Sequence, residues 1–212
     1  MVVVFIVHLN HACGMRRSKG FTLIEILLVI VILGILISLA APSFKRQIQA
    51  NNMTSSVNSF LADVRFARSE AVRRGGGVVM CRSDAPELTN AVCGSGSGPG
   101  GNGWVSGWIV FHDKNGNGNR NYNADPIVDD TVLRVQSPIT SVDSIVESGA
   151  SSSTKLVFTA TGRLQNLGST TSMQFGGNGV FTADLQRMVC ISLGGRARVA
   201  GDGNTACGAN GL

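Results

Sequence analysis

Residues 21–41 read FTLIEILLVIVILGILISLAA, and this stretch constrains the chain more than any other. About 20 apolar residues rising about 1.5 Å each cover the roughly 30 Å hydrocarbon core of a bilayer, so the run is long enough to span one as a helix. Arg16, Arg17 and Lys19 stand just upstream and orient such a helix with its N-terminus in the cytoplasm. A cleaved secretory signal fits less well, because the run is too long and no A-x-A site closes it. Glu25 is the only charge in the run. A carboxylate at that depth costs several kcal/mol, about 3 on translocon-type scales, unless a cation meets it, so it marks a functional position.

The segment Lys19-Gly20-Phe21-Thr22-Leu23-Ile24-Glu25 resembles the signature of type IV prepilins and type II secretion pseudopilins. The resemblance implies that a membrane peptidase cuts between Gly20 and Phe21 and N-methylates Phe21. It implies equally that the Glu25 carboxylate neutralises the amine of Phe21, its own or a neighbouring subunit's, during assembly. Pro42 sits where these proteins often carry a helix-bending proline. The expected leader is residues 1–20, and Met15 followed by RRSKG would by itself make one of conventional length, so Met15 is the expected true start. The leader takes Arg16, Arg17 and Lys19 with it. Of the 18 Lys+Arg in the chain 15 then remain against 13 Asp+Glu, a net of +2. A chain so balanced binds a polyanion only through locally clustered cations.

Beyond the apolar run, residues 43–74 contain neither Gly nor further Pro. Phe44, Ile48, Met53, Val57, Phe60, Val64, Ala67 and Ala71 recur in steps of three to five. That period draws one helical stripe, and it predicts a single N-terminal helix over 21–74, membrane-spanning over 21–41, stopped by Gly75-Gly76-Gly77. The opposite face carries Lys45, Arg46, Arg65, Arg68, Arg73 and Arg74 against Asp63 and Glu70, and reads first as a solvated or subunit-facing surface. From residue 75 to 212 the period changes. Runs at 78–81, 104–112, 131–135, 144–147, 155–159, 171–175, 188–192 and 196–200 are rich in β-branched residues and bounded by turn formers. They predict an antiparallel sheet domain with one sheet packed on the helix stripe, an α+β, pilin-like fold. The β region most resembles the GspH/FimT family of minor pilins and pseudopilins.

Four cysteines follow the membrane segment, Cys81, Cys93, Cys190 and Cys207, with no C-x-x-C pair. An even count in an oxidising compartment predicts two disulfides rather than a zinc site. Three pairings exist. Cys81 with Cys93 and Cys190 with Cys207 is favoured, because each staples a short Gly-rich excursion, worth up to about 3 kcal/mol of loop-closure entropy.

Other patterns carry less. Residues 94–103, GSGSGPGGNG, lack the Lys-Ser/Thr of a phosphate loop and read as a flexible surface loop. Residues 113–119, DKNGNGN, imitate half a calcium loop, yet Ala124 stands where the twelfth-position carboxylate belongs and Asp125 comes one residue late. His112 is the one histidine beyond the leader and has no nucleophile at a fixed spacing. No enzyme activity, cofactor or metal is expected.

The last pattern is Gly194-Gly195-Arg196-Ala197-Arg198. On a strand, Arg196 and Arg198 project from one face and reach successive phosphates, while the glycines let a backbone approach. The pattern resembles the G-R-x-R element near the C-terminus of FimT-type minor pilins. That resemblance implies DNA contacts at Gly195, Arg196 and Arg198 in natural transformation. Arg187, Arg163 and Lys155 are further candidates from charge alone. The expected partners are DNA, major and minor pilins, the prepilin peptidase and the inner membrane. The expected location is a single-pass inner-membrane protein with a periplasmic globular domain, then an extracellular pilus. The competing expectation is a structural type II secretion pseudopilin that binds no DNA.

Overall fold

The computed structural model describes residues 20–122, 129–148, 154–165 and 171–208; the expected leader up to residue 19, together with Ala124 and Asp125, lies outside them. One helix, α1, runs Leu23–Arg74 with Pro42 inside it. It starts with a capping box: the Thr22 backbone N–H and hydroxyl donate to Glu25 Oε2 at 2.8 and 2.9 Å, and the Glu25 N–H donates to Thr22 Oγ1 at 3.3 Å. The carboxylate that breaks the apolar run thus also satisfies orphan donors at the helix start. Contacts divide the chain into two units, Met1–Phe44 and Lys45–Leu212. In the first, the described residues form the apolar end of α1, which is long and apolar enough to cross a membrane.

In the second unit, the rest of α1 buries Met53, Val57, Phe60, Leu61, Val64, Ala67 and Ala71. The expected stripe begins later than its period suggested, since Phe44 and Ile48 remain exposed. Eight strands follow: β1 Val78–Arg82, β2 Trp108–His112, β3 Thr131–Gln136, β4 Ile145–Ser148, β5 Lys155–Phe158, β6 Thr171–Phe175, β7 Arg187–Ile191 and β8 Ala197–Gly201. They form two antiparallel four-stranded sheets, ordered β3-β2-β1-β5 and β4-β6-β7-β8. Both sheets share one core with α1, where the helix meets Val78, Met80, Trp108 and Phe158 of the first and Ile145, Phe175, Val189 and Ile191 of the second. The far side of the first sheet has its own cluster, Val79, Cys81, Ala91, Ile109 and Phe111. β1 is therefore buried at every position, and the unbroken apolar run over 78–81 follows from burial on both faces.

Both sheets thus pack on the helix stripe where one was expected to, and the expected strand over 104–112 is shorter. A tight turn at Trp104–Ser106, bounded by Gly103 and Gly107, precedes β2 and turns the Trp104 ring into the core. Asp63, expected on the solvated helix face, is buried. Its Oδ2 accepts from Trp108 Nε1 at 2.8 Å, its Oδ1 from Arg134 at 2.6 Å, and the Arg134 guanidinium lies 4.7 Å over the Phe66 ring. A buried indole N–H without an acceptor costs about 1–3 kcal/mol. Asp63→Ala should therefore lower unfolding stability by about that much, read as a shifted urea midpoint of the full chain in nonionic detergent; an unchanged midpoint would remove Asp63 from this account.

Candidate nucleic-acid interface

β7 and β8 form a hairpin with Ile191 opposite Ala197, Cys190 opposite Arg198 and Val189 opposite Val199. Its turn closes with Gly195 N–H donating to the Ser192 carbonyl at 2.8 Å and Ser192 N–H donating to the Arg196 carbonyl at 3.0 Å. This three-residue loop needs a left-handed residue in its last position, and Gly195 supplies it with φ 70°. Gly195 is also buried, and a Cβ there would be driven into the carbonyl oxygen of Gly162. The backbone that the glycine admits is therefore the protein's own. Gly194 is different, since a Cβ there would make only an ordinary contact with Ser192.

Arg198 lies within β8, half-buried and opposite Cys190, whose sulfur is bonded to Cys207. Arg196 is exposed and precedes the strand, so the expectation that both arginines sit in one strand holds for Arg198 alone. Both expected disulfides are present, Cys81–Cys93 and Cys190–Cys207, with Cα separations of 5.5 and 5.7 Å.

Against Gly195 packs the turn that follows β5. Thr159 N–H donates to the Arg163 carbonyl and Gly162 N–H to the Thr159 carbonyl, both at 2.8 Å, and Leu164 N–H donates to the hairpin at Leu193 O, 2.9 Å away. Gly162 has φ 73°, and a Cβ there would lie 2.9 Å from Arg68 Nε and 3.2 Å from Val72 Cγ2 of α1. Arg68 Nε donates to the Gly162 carbonyl at 3.2 Å. Helix, turn and hairpin thus meet around one peptide unit, with Arg68 and Arg65 on the helix, Arg163 on the turn and Arg196 on the hairpin.

The other basic candidates are held elsewhere. Arg187 stands at the end of β7 away from the hairpin turn, donating to the carbonyls of Asp184 and Gln186 at 2.7 Å. Lys155 belongs to the other sheet, its Nζ 3.1 Å from Gly118 O and Asn119 Oδ1. Arg73 and Arg74 share Glu70, whose carboxyl their hydrogen bonds hold at about 2, far below the usual range. Arg46 pairs with Asp184, a carboxyl lowered chiefly by the Thr182 hydroxyl and further by Arg46 and Arg187.

The two Gly-rich segments are built around charged side chains. Arg82 is buried beneath residues 94–98, donating to Ser95 O at 2.6 Å and pairing with Asp84, and a Cβ on Gly94 would meet its guanidinium at 2.6 Å. The expected flexible loop is therefore pinned from below. In the 113–119 segment, the two Asp113 oxygens accept the N–H groups of Gly116 and Gly118 at 2.8 and 2.6 Å. That carboxylate organises its own turn. Among the described residues no cluster of three His, Cys, Asp or Glu side chains is placed to hold a metal.

A profile of the family described as type II transport protein GspH matches residues 56–195, about two-thirds of the chain. The chain belongs to the GspH family. A second profile, the prokaryotic N-terminal methylation motif, matches residues 15–41. The type IV narrow pilus major component PilA5 of Thermus thermophilus is 42% identical over 65 residues, which are 31% of this chain and 55% of that protein. The chain therefore spans about half the length of the curated relative it matches. Two crystal structures of the type IV minor pilin FimU of Pseudomonas aeruginosa are similar to it. One has 22% identity and a TM-score of 0.48 over 70% of this chain and 88% of that one; the other has 21% and 0.44 over 69% and 90%.

By family, then, the chain joins a GspH region to an N-terminal methylation motif, and its N-terminal helix is long and apolar enough to cross a membrane. The second match is to a motif of N-terminal processing. The GspH match ends at Gly195, so Arg196 and Arg198 lie just past it. The hairpin geometry separates the two neighbouring glycines. Gly195→Ala should cost at least about 1 kcal/mol, because an L residue is forced into a left-handed conformation against a carbonyl. Gly194→Ala should leave the thermal unfolding midpoint near that of the parent chain; equal midpoints for the two variants would refute this assignment.

Proposed function

We propose that this GspH-family chain is a minor type IV pilin that binds DNA without sequence preference through its β7–β8 hairpin, for DNA uptake in natural transformation. One observation carries the reading: Arg196 presents a solvent-exposed guanidinium, with no partner among the described residues, at the turn of a hairpin anchored by the Cys190–Cys207 disulfide. Arg198 follows two residues on, and Arg163 stands on the adjoining turn. Gly195 serves the contact by holding the turn. Arg187 and Lys155 remain outside this cluster, and the proposal does not need them.

The prepilin peptidase cuts between Gly20 and Phe21 and methylates Phe21, Glu25 meets the new amine on assembly, and the span over 21–41 holds the subunit in the inner membrane beforehand. The globular part then faces the periplasm, and the assembled pilus carries it outside. Each neutralised phosphate of duplex DNA contributes about 0.9 to the log–log salt slope, so Arg196, Arg198 and Arg163 together supply about −3. Such binding is weak per subunit, and it suits capture by several subunits on one filament.

The family's description as a type II transport protein favours a second reading, a structural pseudopilin whose partners are other pseudopilins. Gel shift separates the two. The full chain in nonionic detergent should retard duplex DNA, and replacing Arg196 and Arg198 together by Ala should abolish the shift while leaving the circular dichroism spectrum unchanged. Undiminished retardation by the double variant would remove the hairpin assignment, and no retardation by the parent chain would leave the pseudopilin reading.

A further inference from the structure

Most described arginines are neutralised or tied within the fold. Carboxylates take Arg46, Arg73, Arg74, Arg82 and Arg134, and backbone carbonyls take Arg68, Arg120 and Arg187. Three guanidinium groups, those of Arg65, Arg163 and Arg196, have no hydrogen-bond or ion-pair partner among the described residues. All three belong to segments that meet at the Gly162 peptide. Arg65 lies one helical turn before Arg68, which bonds Gly162; Arg163 follows Gly162; Arg196 follows Gly195, which packs on it. Between the helix and the hairpin lies a groove of about 490 Å³, lined by Arg65, Arg68, Ser69, Val72, Arg196 and Ala197.

We infer that the DNA path does not end at the hairpin but crosses this groove onto α1, where Arg65 and Arg68 hold the phosphodiester backbone. The inference rests on the DNA-binding reading above and extends it to a helix face that reads in the sequence as solvated. The groove fits a polyphosphate strand better than a lone anion, because the cations lining it come from two separate segments, α1 and the hairpin, and its lining also includes the apolar Val72 and Ala197. The apolar side chains accommodate sugar while the guanidinium groups meet phosphate. Arg68 is held by the Gly162 carbonyl through Nε, which fixes its position and leaves the terminal nitrogens of the fork for a ligand. Arg65 is unconstrained. With Arg65 and Arg68 added to the three hairpin-side contacts, the salt slope moves from about −3 towards about −4.5.

The test is the affinity of the full chain in nonionic detergent for a short fluorescent duplex of mixed sequence, followed by anisotropy between about 50 and 200 mM salt. Arg65→Ala should weaken binding several-fold at the low-salt end and flatten the slope by about 0.9, and Arg65→Lys should keep the slope. Arg73→Ala removes one charge from the same helix outside the groove and should leave the slope as it is. If Arg65→Ala binds like the parent while the Arg196/Arg198 double variant does not bind, this inference fails and the hairpin reading stands. If Arg73→Ala flattens the slope as much as Arg65→Ala, the effect is one of net charge and the groove is refuted. If the parent chain does not bind the duplex at all, both readings fall. Since Arg65 is exposed and makes no bond within the fold, its substitution should leave the thermal midpoint unchanged.

Discussion

The second unit is organised around the side chain of Phe60. Its ring meets Trp104, Trp108 and Phe175 edge-on, with centroids 5.8, 5.5 and 5.6 Å away. Trp108 belongs to the first sheet, Phe175 to the second, and Trp104 to the turn before β2. One helical residue therefore touches both sheets, and such pairs add about 0.5–1.5 kcal/mol each beyond the area they bury. The two tryptophans bring polar N–H groups into this apolar centre, and each finds a carboxylate: Trp108 finds Asp63 and Trp104 finds Glu147 at 2.8 Å. Because Asp63 is also on α1, the aromatic packing and the hydrogen bond fix the same stretch of helix against the same strand. The rotational setting of α1 follows from this, and with it the side of the helix on which Arg65 and Arg68 emerge.

The Gly162 junction is a second consequence of that setting. Arg68 and Val72 reach the turn after β5 only if the helix presents them there, and Gly195 reaches it only if the hairpin folds back with a left-handed residue. Gly195 and a guanidinium crowd around the Gly162 carbonyl: a Cβ on Gly195 would strike that oxygen, and one on Gly162 would strike the Arg68 and Val72 side chains. The arginines gathered there are far apart in sequence, so their grouping is a property of the tertiary fold. Cystine at 190 and 207 ties the ascending strand of the hairpin to the chain beyond its descending strand, restricting the alternatives open to the unfolded ribbon.

Much of the architecture was legible in the sequence. The absence of Gly and Pro between Ser43 and Arg74, with the stripe of apolar residues, foretold the end of α1 at Arg74, because Gly75 can adopt the backbone that stops a helix. Every predicted strand has a counterpart, since β-branched runs bounded by turn formers are a local property. The division into two sheets was not legible, because pairing between strands is decided by long-range packing. Asp63 read as surface since a carboxylate is seldom buried, and only its partners Trp108 and Arg134, distant in the chain, explain its place. Gly195 read as an opening for a ligand backbone, whereas the backbone it admits comes from Gly162. Arg65 and Arg68 stood out only as members of a basic helix face; what distinguishes them from Arg73 and Arg74 is Glu70, which satisfies the latter pair. A sequence-level test for locally available acids at i−3 and i−4 would have drawn that distinction.

The meeting of three segments at Gly162 bears on how such a surface could be transplanted. Moving the C-terminal ribbon alone into another scaffold would carry two arginines and strand them without the turn that props up Gly195. A portable version must include residues 159–164 and at least two turns of α1 from Arg65 to Val72, with both glycines retained. For the same reason, neither glycine is free to drift independently in descent. A side chain gained on one side of the contact cannot be accommodated by any change at the other glycine, which already has nothing left to give up.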